Sequence, residues 1–201
     1  MSSSAETYKT VDKPASIEFS IRGSKFIGHI RPATSVSEAA AIISTIENEY
    51  EDATHNVPAY RIRADPFREY ASDDGEPTGS AGKPALRVLS NRELENVVAV
   101  VTRYYGGTNL GTGGLVRSYA RAVNEAVEAA GIVNRRPHSH VMITASYDDS
   151  GTVRQILESE SVCYDAEYDV TVTFAVDIPI TKSEAVLDRI LSATSGRVEL
   201  D

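Results

Sequence analysis

Two spacings of apolar residues follow one another along the first half of the chain. Apolar and polar residues alternate over 16–21 and 25–31, on either side of an Arg-Gly turn, which predicts a β-hairpin. Ser35 then stands three residues before Glu38, as in a capping box, and apolar residues at helical spacing continue to Tyr50. We therefore predict a helix over this stretch. Two short strand candidates follow it, at 59–63 and 68–72.

A second apolar region predicts the centre of the first domain. Residues 96–102 are mostly β-branched and have no polar face, as in a strand that is covered on both sides. A helix is predicted over 113–130, with Gly131 as its C-cap. Its apolar stripe leaves Arg117 and Arg121 on the opposite face, one helical turn apart.

The last third of the chain has a pattern of its own. Residues 134–139 contain a proline and adjacent basic residues without periodicity, which predicts a linker. The order beyond it is strand, helix, strand, strand, helix, strand, which is typical of a split βαβ domain. The predicted elements are a strand over 140–147, a helix over 152–160, a hairpin over 162–180, a helix capped by Thr181 and Glu184, and a strand over 197–200.

These patterns together predict an α+β protein with two domains. The predicted segments are a flexible N-terminus (1–15), an N-terminal domain (16–136) and a ferredoxin-like C-terminal domain with the order βαββαβ (137–201).

Composition excludes several classes of protein. The chain has 201 residues, of which 41% are hydrophobic and 24% charged, so it is neither disordered nor fibrous. No apolar run approaches the roughly 20 residues of a membrane helix, and the first residues lack the apolar core of a signal peptide. We therefore expect a cytoplasmic protein without membrane contact. The single Cys163 excludes an internal disulfide bond.

Charge is distributed unevenly along the chain. The net charge is −9, yet residues 53–121 carry 9 basic and 7 acidic side chains, whereas residues 141–201 carry 4 and 12. An acidic chain is not a general nucleic-acid binder, but a local basic face can still bind phosphate.

An acidic loop runs from Asp73 to Pro84 and contains Asp73, Asp74 and Glu76. One interpretation is an exposed loop whose carboxylates bind a cation. The other is a rigid loop whose carboxylates cap turns or pair with nearby arginines. Because the spacing does not match a calcium-binding loop, we predict no metal site.

A glycine-rich loop precedes the helix predicted at residue 113. Glycines let a ligand approach the backbone, and the free N–H groups of a helix N-terminus attract anions, so the loop is a candidate phosphate cradle. Neither common nucleotide-binding motif is complete, because Thr112 replaces the Walker A lysine and Val116 the last Rossmann glycine. The glycines of the loop are Gly106, Gly107, Gly111, Gly113 and Gly114.

Arginines and aromatic residues flank this loop. Arg117 lies in the first helical turn, where the helix dipole disfavours a cation, and Arg121 repels it from the next turn. A bound phosphate would relieve both effects, and so would a carboxylate of the acidic loop. Arg103 and Tyr104 precede the loop and suit an RNA base and its phosphate. His55 is a ligand contact or a structural residue, with a general base as the less favoured alternative because no Ser or Cys partner is evident.

His55, the acidic loop DDGEPTGSAG and the segment RYYGGTNLGTGGLVRSY resemble the Impact/YigZ family, and the resemblance extends over residues 15–201. It implies an N-terminal domain folded like the second domain of a small-subunit ribosomal protein and a C-terminal domain like the last domain of elongation factor G. It also implies a link to translation, because the eukaryotic relative regulates it and prokaryotic members are proposed to bind nucleic acid or ribosomes. The sequence departs from the family pattern at Asn109, where a lysine is common.

The leading hypothesis is a non-enzymatic, translation-associated protein that binds RNA or the ribosome, with a translation factor as a further partner. It requires no cofactor, no metal and no catalytic residue. One alternative is a nucleotide- or phosphate-dependent enzyme in which Asp74 or Glu76 binds magnesium or acts as a base. Another is a protein-interaction module that docks through its acidic C-terminal domain. The predicted ligand-binding residues are His55, Arg103, Tyr104, Gly106, Gly107, Gly111, Gly113, Gly114, Arg117 and Arg121.

Overall fold

In the computed structural model, which describes residues 7–201, the chain divides after Arg135 into two units. The N-terminal unit, Tyr8–Arg135, contains seven strands and three helices in the described residues, and its mixed composition confirms the α+β prediction. Its elements are β1 (Tyr8–Val11), β2 (Ala15–Ile21), β3 (Ser24–Pro32), α1 (Val36–Glu49), β4 (His55–Ile62), β5 (Arg68–Ala71), α2 (Gly82–Asn91), β6 (Val97–Tyr104), α3 (Gly111–Ala130) and β7 (Ile132–Arg135).

The main sheet of this unit has the strand order β2-β3-β6-β4-β5 and is antiparallel throughout. Strand β6 lies at its centre and is covered on both sides, as its apolar composition predicts. Val97, Ala99 and Val101 belong to the core beneath α2 and α3, whereas Val98 packs with Ala39 of α1. The alternation of a strand thus places neighbouring residues on opposite layers of the unit.

Helix α1 begins where its capping signal predicts. Ser35 is the N-cap, and its side chain accepts a hydrogen bond from the Glu38 backbone N–H. The Glu38 carboxylate reaches back one residue further than in a standard capping box, because it accepts from the backbone and the hydroxyl of Thr34.

Helix α2 was not predicted. Gly82 and Pro84 suggest a loop, and the N-cap Ala81 has no side chain that can accept a hydrogen bond. Asp73 supplies the cap from eight residues upstream, since its carboxylate accepts from the backbone N–H groups of Ala81 and Gly82 at 3.0 and 2.8 Å. Helix α3 likewise begins at Gly111, two residues before the predicted start.

The prediction of a flexible N-terminus over residues 1–15 is wrong for β1. This strand pairs with β7, Val11 is fully buried, and Thr10 donates a hydrogen bond to the carbonyl of Asn96. The pairing is not predicted because its partner β7 lies more than 120 residues away in the chain and overlaps the start of the predicted linker. Residues 1–6 lie outside the described part.

The second unit, which includes Arg136–Asp201, has the strand order β11-β8-β10-β9, antiparallel throughout. In order of sequence this is 4-1-3-2, and with two helices it forms the predicted split βαβ arrangement. Its elements are β8 (His138–Ala145), α4 (Tyr147–Ser159), β9 (Cys163–Tyr168), β10 (Val172–Pro179), α5 (Ile180–Ala193) and β11 (Glu199–Leu200).

Two details of this unit differ from the predictions. Helix α4 begins at Tyr147, because Ser146 caps it by accepting from the Asp149 backbone N–H. Helix α5 begins at Ile180 after Pro179 and has no side-chain cap, so the predicted cap from Thr181 and Glu184 does not form. Among residues 7–201, no helix is both long enough and apolar enough to cross a membrane.

His29 makes the stability of the N-terminal unit sensitive to acid. Burial, with the charge of Arg31 adding to it, lowers the pKa of His29 to about 4, although Glu49 opposes the shift. The unfolded chain takes up this proton near pH 6.5, whereas the folded protein resists it until about pH 4. Stability should therefore fall as the pH drops through this window, by about 3 kcal/mol from this group alone.

Chemical denaturation of wild type and His29→Gln at several pH values tests this expectation. We expect the difference in unfolding free energy between the two proteins to change steeply between pH 6.5 and 4 and to be constant above it. Parallel curves across the window would contradict it.

Candidate nucleic-acid interface

Arg103 and Glu76 form a buried ion pair where β6 ends. Arg103 is 5% exposed and Glu76 8%, and Nη1 of Arg103 lies 2.5 Å from Oε1 of Glu76. The Tyr119 hydroxyl donates to the same carboxylate oxygen at 2.7 Å. Burial, together with this hydrogen bond, raises the pKa of Tyr119 far above its ordinary value. The predicted ligand contact Arg103 thus has its charge inside the unit, neutralised by the acidic loop.

The other carboxylates of the acidic loop also bind the protein itself. Asp73 accepts from three backbone N–H groups, including that of Gly79 at 2.7 Å. Burial alone would raise its pKa, but these donors outweigh burial and hold the pKa of Asp73 below its ordinary value. Asp74 accepts from the Asn56 backbone N–H at 2.6 Å. This arrangement corresponds to the rigid-loop interpretation of the acidic residues.

His55, the first residue of β4, contacts the acidic loop as well. Its Nδ1 is 2.5 Å from the carbonyl oxygen of Asp74, and its Nε2 is 3.9 Å from Oε1 of Glu76. The histidine therefore joins strand β4 to the acidic loop. Within residues 7–201 no three His, Cys, Asp or Glu side chains are gathered as a metal centre requires.

The glycine loop is held by a close backbone contact. A Cβ on Gly106 would lie 1.9 Å from the carbonyl carbon of Gly23 in the β2–β3 turn, so only glycine fits there. Gly107 and Gly111 have φ values of 80° and 69° and open space beside them. The first of these glycines is needed for packing and the other two for their backbone conformation.

The packing of this loop on the β2–β3 turn creates a groove lined by three arginines. Arg22 lies in the turn, and Arg117 and Arg121 lie on the exposed face of α3; we call the cavity between them, about 260 Å³ in volume, the arginine groove. Arg121 pairs with Glu125 at 2.6 Å. Neither Arg22 nor Arg117 forms an ion pair with any residue in the described range 7–201. Glu76, one of the acidic-loop carboxylates that could have paired with Arg117, pairs with Arg103 instead.

Tyr104 lies on the other side of the sheet from this groove. It follows Arg103 in strand β6, so its side chain points to the layer of α1, where its hydroxyl donates to Asp52 at 2.7 Å. That hydrogen bond raises the pKa of Tyr104 to about 12. Tyr105 is 46% exposed. Arg117 and Arg121 are therefore brought together with each other, with Gly114 and with Arg22, but not with Tyr104.

Charge separates between the two layers that cover the sheet. Residues 36–52, which include α1, contain no lysine or arginine and carry five exposed carboxylates. The α2–α3 face, defined as the exposed sides of α2 and α3 with the adjoining β2–β3 turn, is cationic. Its carboxylates Glu125 and Glu128 pair with Arg121 and Arg92. Its exposed cations are Arg22, Lys83, Arg87, Arg117 and Arg121.

Each of the two units matches a known family of domains. A model described as the Impact N-terminal domain matches residues 22–127, and a model described as a domain of unknown function (DUF1949) matches residues 143–197. The chain belongs to the IMPACT family. Its resemblance to this family in the glycine and acidic loops is thereby confirmed.

Relatives in the IMPACT family match both units. The chain is 34% identical over 195 residues to the IMPACT family member YvyE of Bacillus subtilis, covering 96% of this chain and 90% of the relative. It is 30% identical over 190 residues to the IMPACT family member YigZ of Escherichia coli, covering 93% of each. A crystal structure described as that of a hypothetical protein matches 98% of this chain and 97% of its own, with a TM-score of 0.73 and 29% identity.

Three cations of the α2–α3 face are not among the predicted site residues. Arg22 precedes a turn glycine, and it comes close to α3 because the β2–β3 hairpin folds back onto that helix, which no local pattern shows. Lys83 and Arg87 lie on α2, where Gly82 and Pro84 suggest a loop. The apolar residues Pro84, Ala85, Val88 and Leu89 were the available signal, since their spacing is helical.

Proposed function

We propose that this protein binds RNA or the ribosome through the α2–α3 face of its N-terminal unit and that it thereby regulates translation. The observation that carries the proposal is the arginine groove, where Arg22 and Arg117 line one cavity and have no carboxylate partner among residues 7–201. Phosphate groups are the natural partners of such arginines, because the guanidinium can donate two parallel hydrogen bonds.

The carboxylates of the acidic loop already have partners within the protein, and this supports the proposal. Glu76 pairs with Arg103, and Asp73 is occupied by backbone donors. Neither can neutralise Arg117 without breaking contacts that hold the acidic loop. The positive charge of the groove is therefore available to a ligand from outside.

The net charge of −9 is compatible with an anionic ligand. In cells, charges further than about 8 Å apart are largely screened, so the local surface decides whether a phosphate is attracted. Many of the acidic side chains lie in residues 141–201 and 36–52 rather than on the α2–α3 face. The family resemblance adds the link to translation.

Sedimentation tests the proposal. Tagged wild type, R22A/R117A and K13A/R68A would be added separately to lysate of the cells that encode the protein, at that cell's ionic strength, and run on sucrose gradients. Lys13 and Arg68 are exposed and unpaired in the described residues but do not line the groove, so their variant removes the same charge elsewhere. We expect wild type and K13A/R68A to move with ribosomal subunits and R22A/R117A to stay at the top.

Two results would contradict the proposal. If wild type itself stays at the top, ribosome binding fails, and filter binding of extracted cellular RNA then decides whether RNA binding fails too. If all three proteins sediment together, binding does not use the arginine groove. Unchanged melting temperatures must first show that both variants are folded.

A further inference from the structure

A second cation-lined groove lies on the other flank of α3. It is formed between α2 and α3, has a volume of about 320 Å³, and is lined by Lys83 and Arg87 of α2 and by Val116 and Ala120 of α3. Lys83 and Arg87 are exposed, and neither forms an ion pair within the described residues. We call this cavity the α2–α3 groove.

Helix α3 therefore has cations along both sides. Arg22 lies across the arginine groove from it, and Lys83 and Arg87 lie across the α2–α3 groove. The two grooves lie on opposite flanks of α3, and a helix with its side chains is about 10–12 Å wide, so Arg22 on one flank and Lys83 and Arg87 on the other are at least that far apart. Arg117 and Arg121 line the arginine groove from the side of α3.

Two parallel sets of cations match a ligand with two phosphate backbones. A single RNA strand has one backbone and would occupy one groove, leaving the other without a partner. Resting on the proposed function, we infer that the RNA is double-helical and that α3 lies over its minor groove. One strand then places its phosphates at the arginine groove and the other at the α2–α3 groove.

The shape of the face favours duplex RNA over duplex DNA. Helix α3 is flanked by α2 on one side and by the β2–β3 turn on the other. Because α2 packs directly beside α3, the pair is wider than a DNA major groove, which is about 12 Å wide and admits one helix, and a DNA minor groove only about 6 Å wide does not admit a helix. The RNA minor groove is wide and shallow and presents 2′-hydroxyls. The exposed amide of Asn91, at the edge of the α2–α3 groove, can hydrogen-bond to such a group.

Fluorescence anisotropy with three labelled probes tests this inference on the full chain. The probes are a 20-base-pair RNA duplex, the DNA duplex of the same sequence and one of the RNA strands alone. We expect the RNA duplex to bind at least about tenfold more tightly than either other probe, because only it presents two phosphate backbones on either side of a wide, shallow groove.

The variants separate the two grooves. K83A/R87A and R22A/R117A should each weaken duplex binding by about tenfold and reduce the slope of log K against log salt by about 2, since each loses two phosphate contacts. K13A/R68A should bind within about twofold of wild type. Equal binding of the single strand or of DNA, or a K83A/R87A variant that binds like the control, would overturn the double-helix inference while leaving RNA binding intact. If no probe binds in a salt-dependent way, RNA binding itself is overturned.

Discussion

Replacing Arg103 with methionine is expected to lower the free energy of unfolding by about 3–5 kcal/mol, as measured by urea denaturation at neutral pH. Methionine fills much of the same space, so the main loss is the partner of Glu76. This carboxylate is 8% exposed and would remain buried, with a hydrogen bond from the Tyr119 hydroxyl and with His55 Nε2 3.9 Å away, but without the guanidinium charge. Breaking a buried pair from one side is costly for this reason.

A second variant separates loss of the pair from loss of packing. In R103M/E76Q no charge is left buried, and we expect it to recover a large part of the stability that R103M loses. Arg121→Met is the exposed comparison, because its pair with Glu125 lies at the surface and is expected to contribute less than about 1 kcal/mol. The account would be contradicted if R103M cost no more than Arg121→Met.

Replacing Gly106 with alanine is the other change with a large expected effect. Its Cβ would lie 1.9 Å from the carbonyl carbon of Gly23 and 2.3 Å from the backbone nitrogen of Ser24. Because both neighbours are backbone atoms, the β2–β3 turn must move away from the glycine loop. We expect a loss of about 3 kcal/mol in the free energy of unfolding, at the upper end of the usual cost of overpacking.

Gly107→Ala is the matched control for this change. Its Cβ would meet nothing within 4 Å, and only its φ of 80° makes alanine unfavourable, by about 1 kcal/mol. G106A should also weaken RNA binding beyond its effect on stability, because Arg22 moves with the turn. A loss for G106A no greater than that for G107A would show that the turn and the loop are not in tight contact.

Much of the fold was predictable because the signals are local. The β-branched residues of β6 indicate a strand buried on both faces, and the order of elements after residue 137 indicates the split βαβ arrangement. Strand β1 is missed because its partner β7 is distant in sequence. Helix α2 is missed because Gly82 and Pro84 suggest a loop and because its cap comes from outside the helix, from Asp73.

The candidate site was predictable only in part for a similar reason. Arg103 and Tyr104 are adjacent in β6, so the alternation of a strand already implies that they cannot serve one surface. Which of the two points to the arginines of α3 depends on the side of the sheet that each helix covers, and no local pattern reports this. The sequence identifies Glu76 as a candidate partner for an arginine, but it does not show whether that arginine is Arg103 or Arg117.

The separation of charge between the two layers of the N-terminal unit gives this unit an electric dipole across its sheet. Its negative end lies at α1 and its positive end at the α2–α3 face. A molecule with such a dipole rotates in the field of a polyanion before contact, so that more encounters present the binding face. Neutralising the exposed carboxylates Glu47 and Glu49 of α1 would then change the rate of association, although both lie on the layer opposite the ligand.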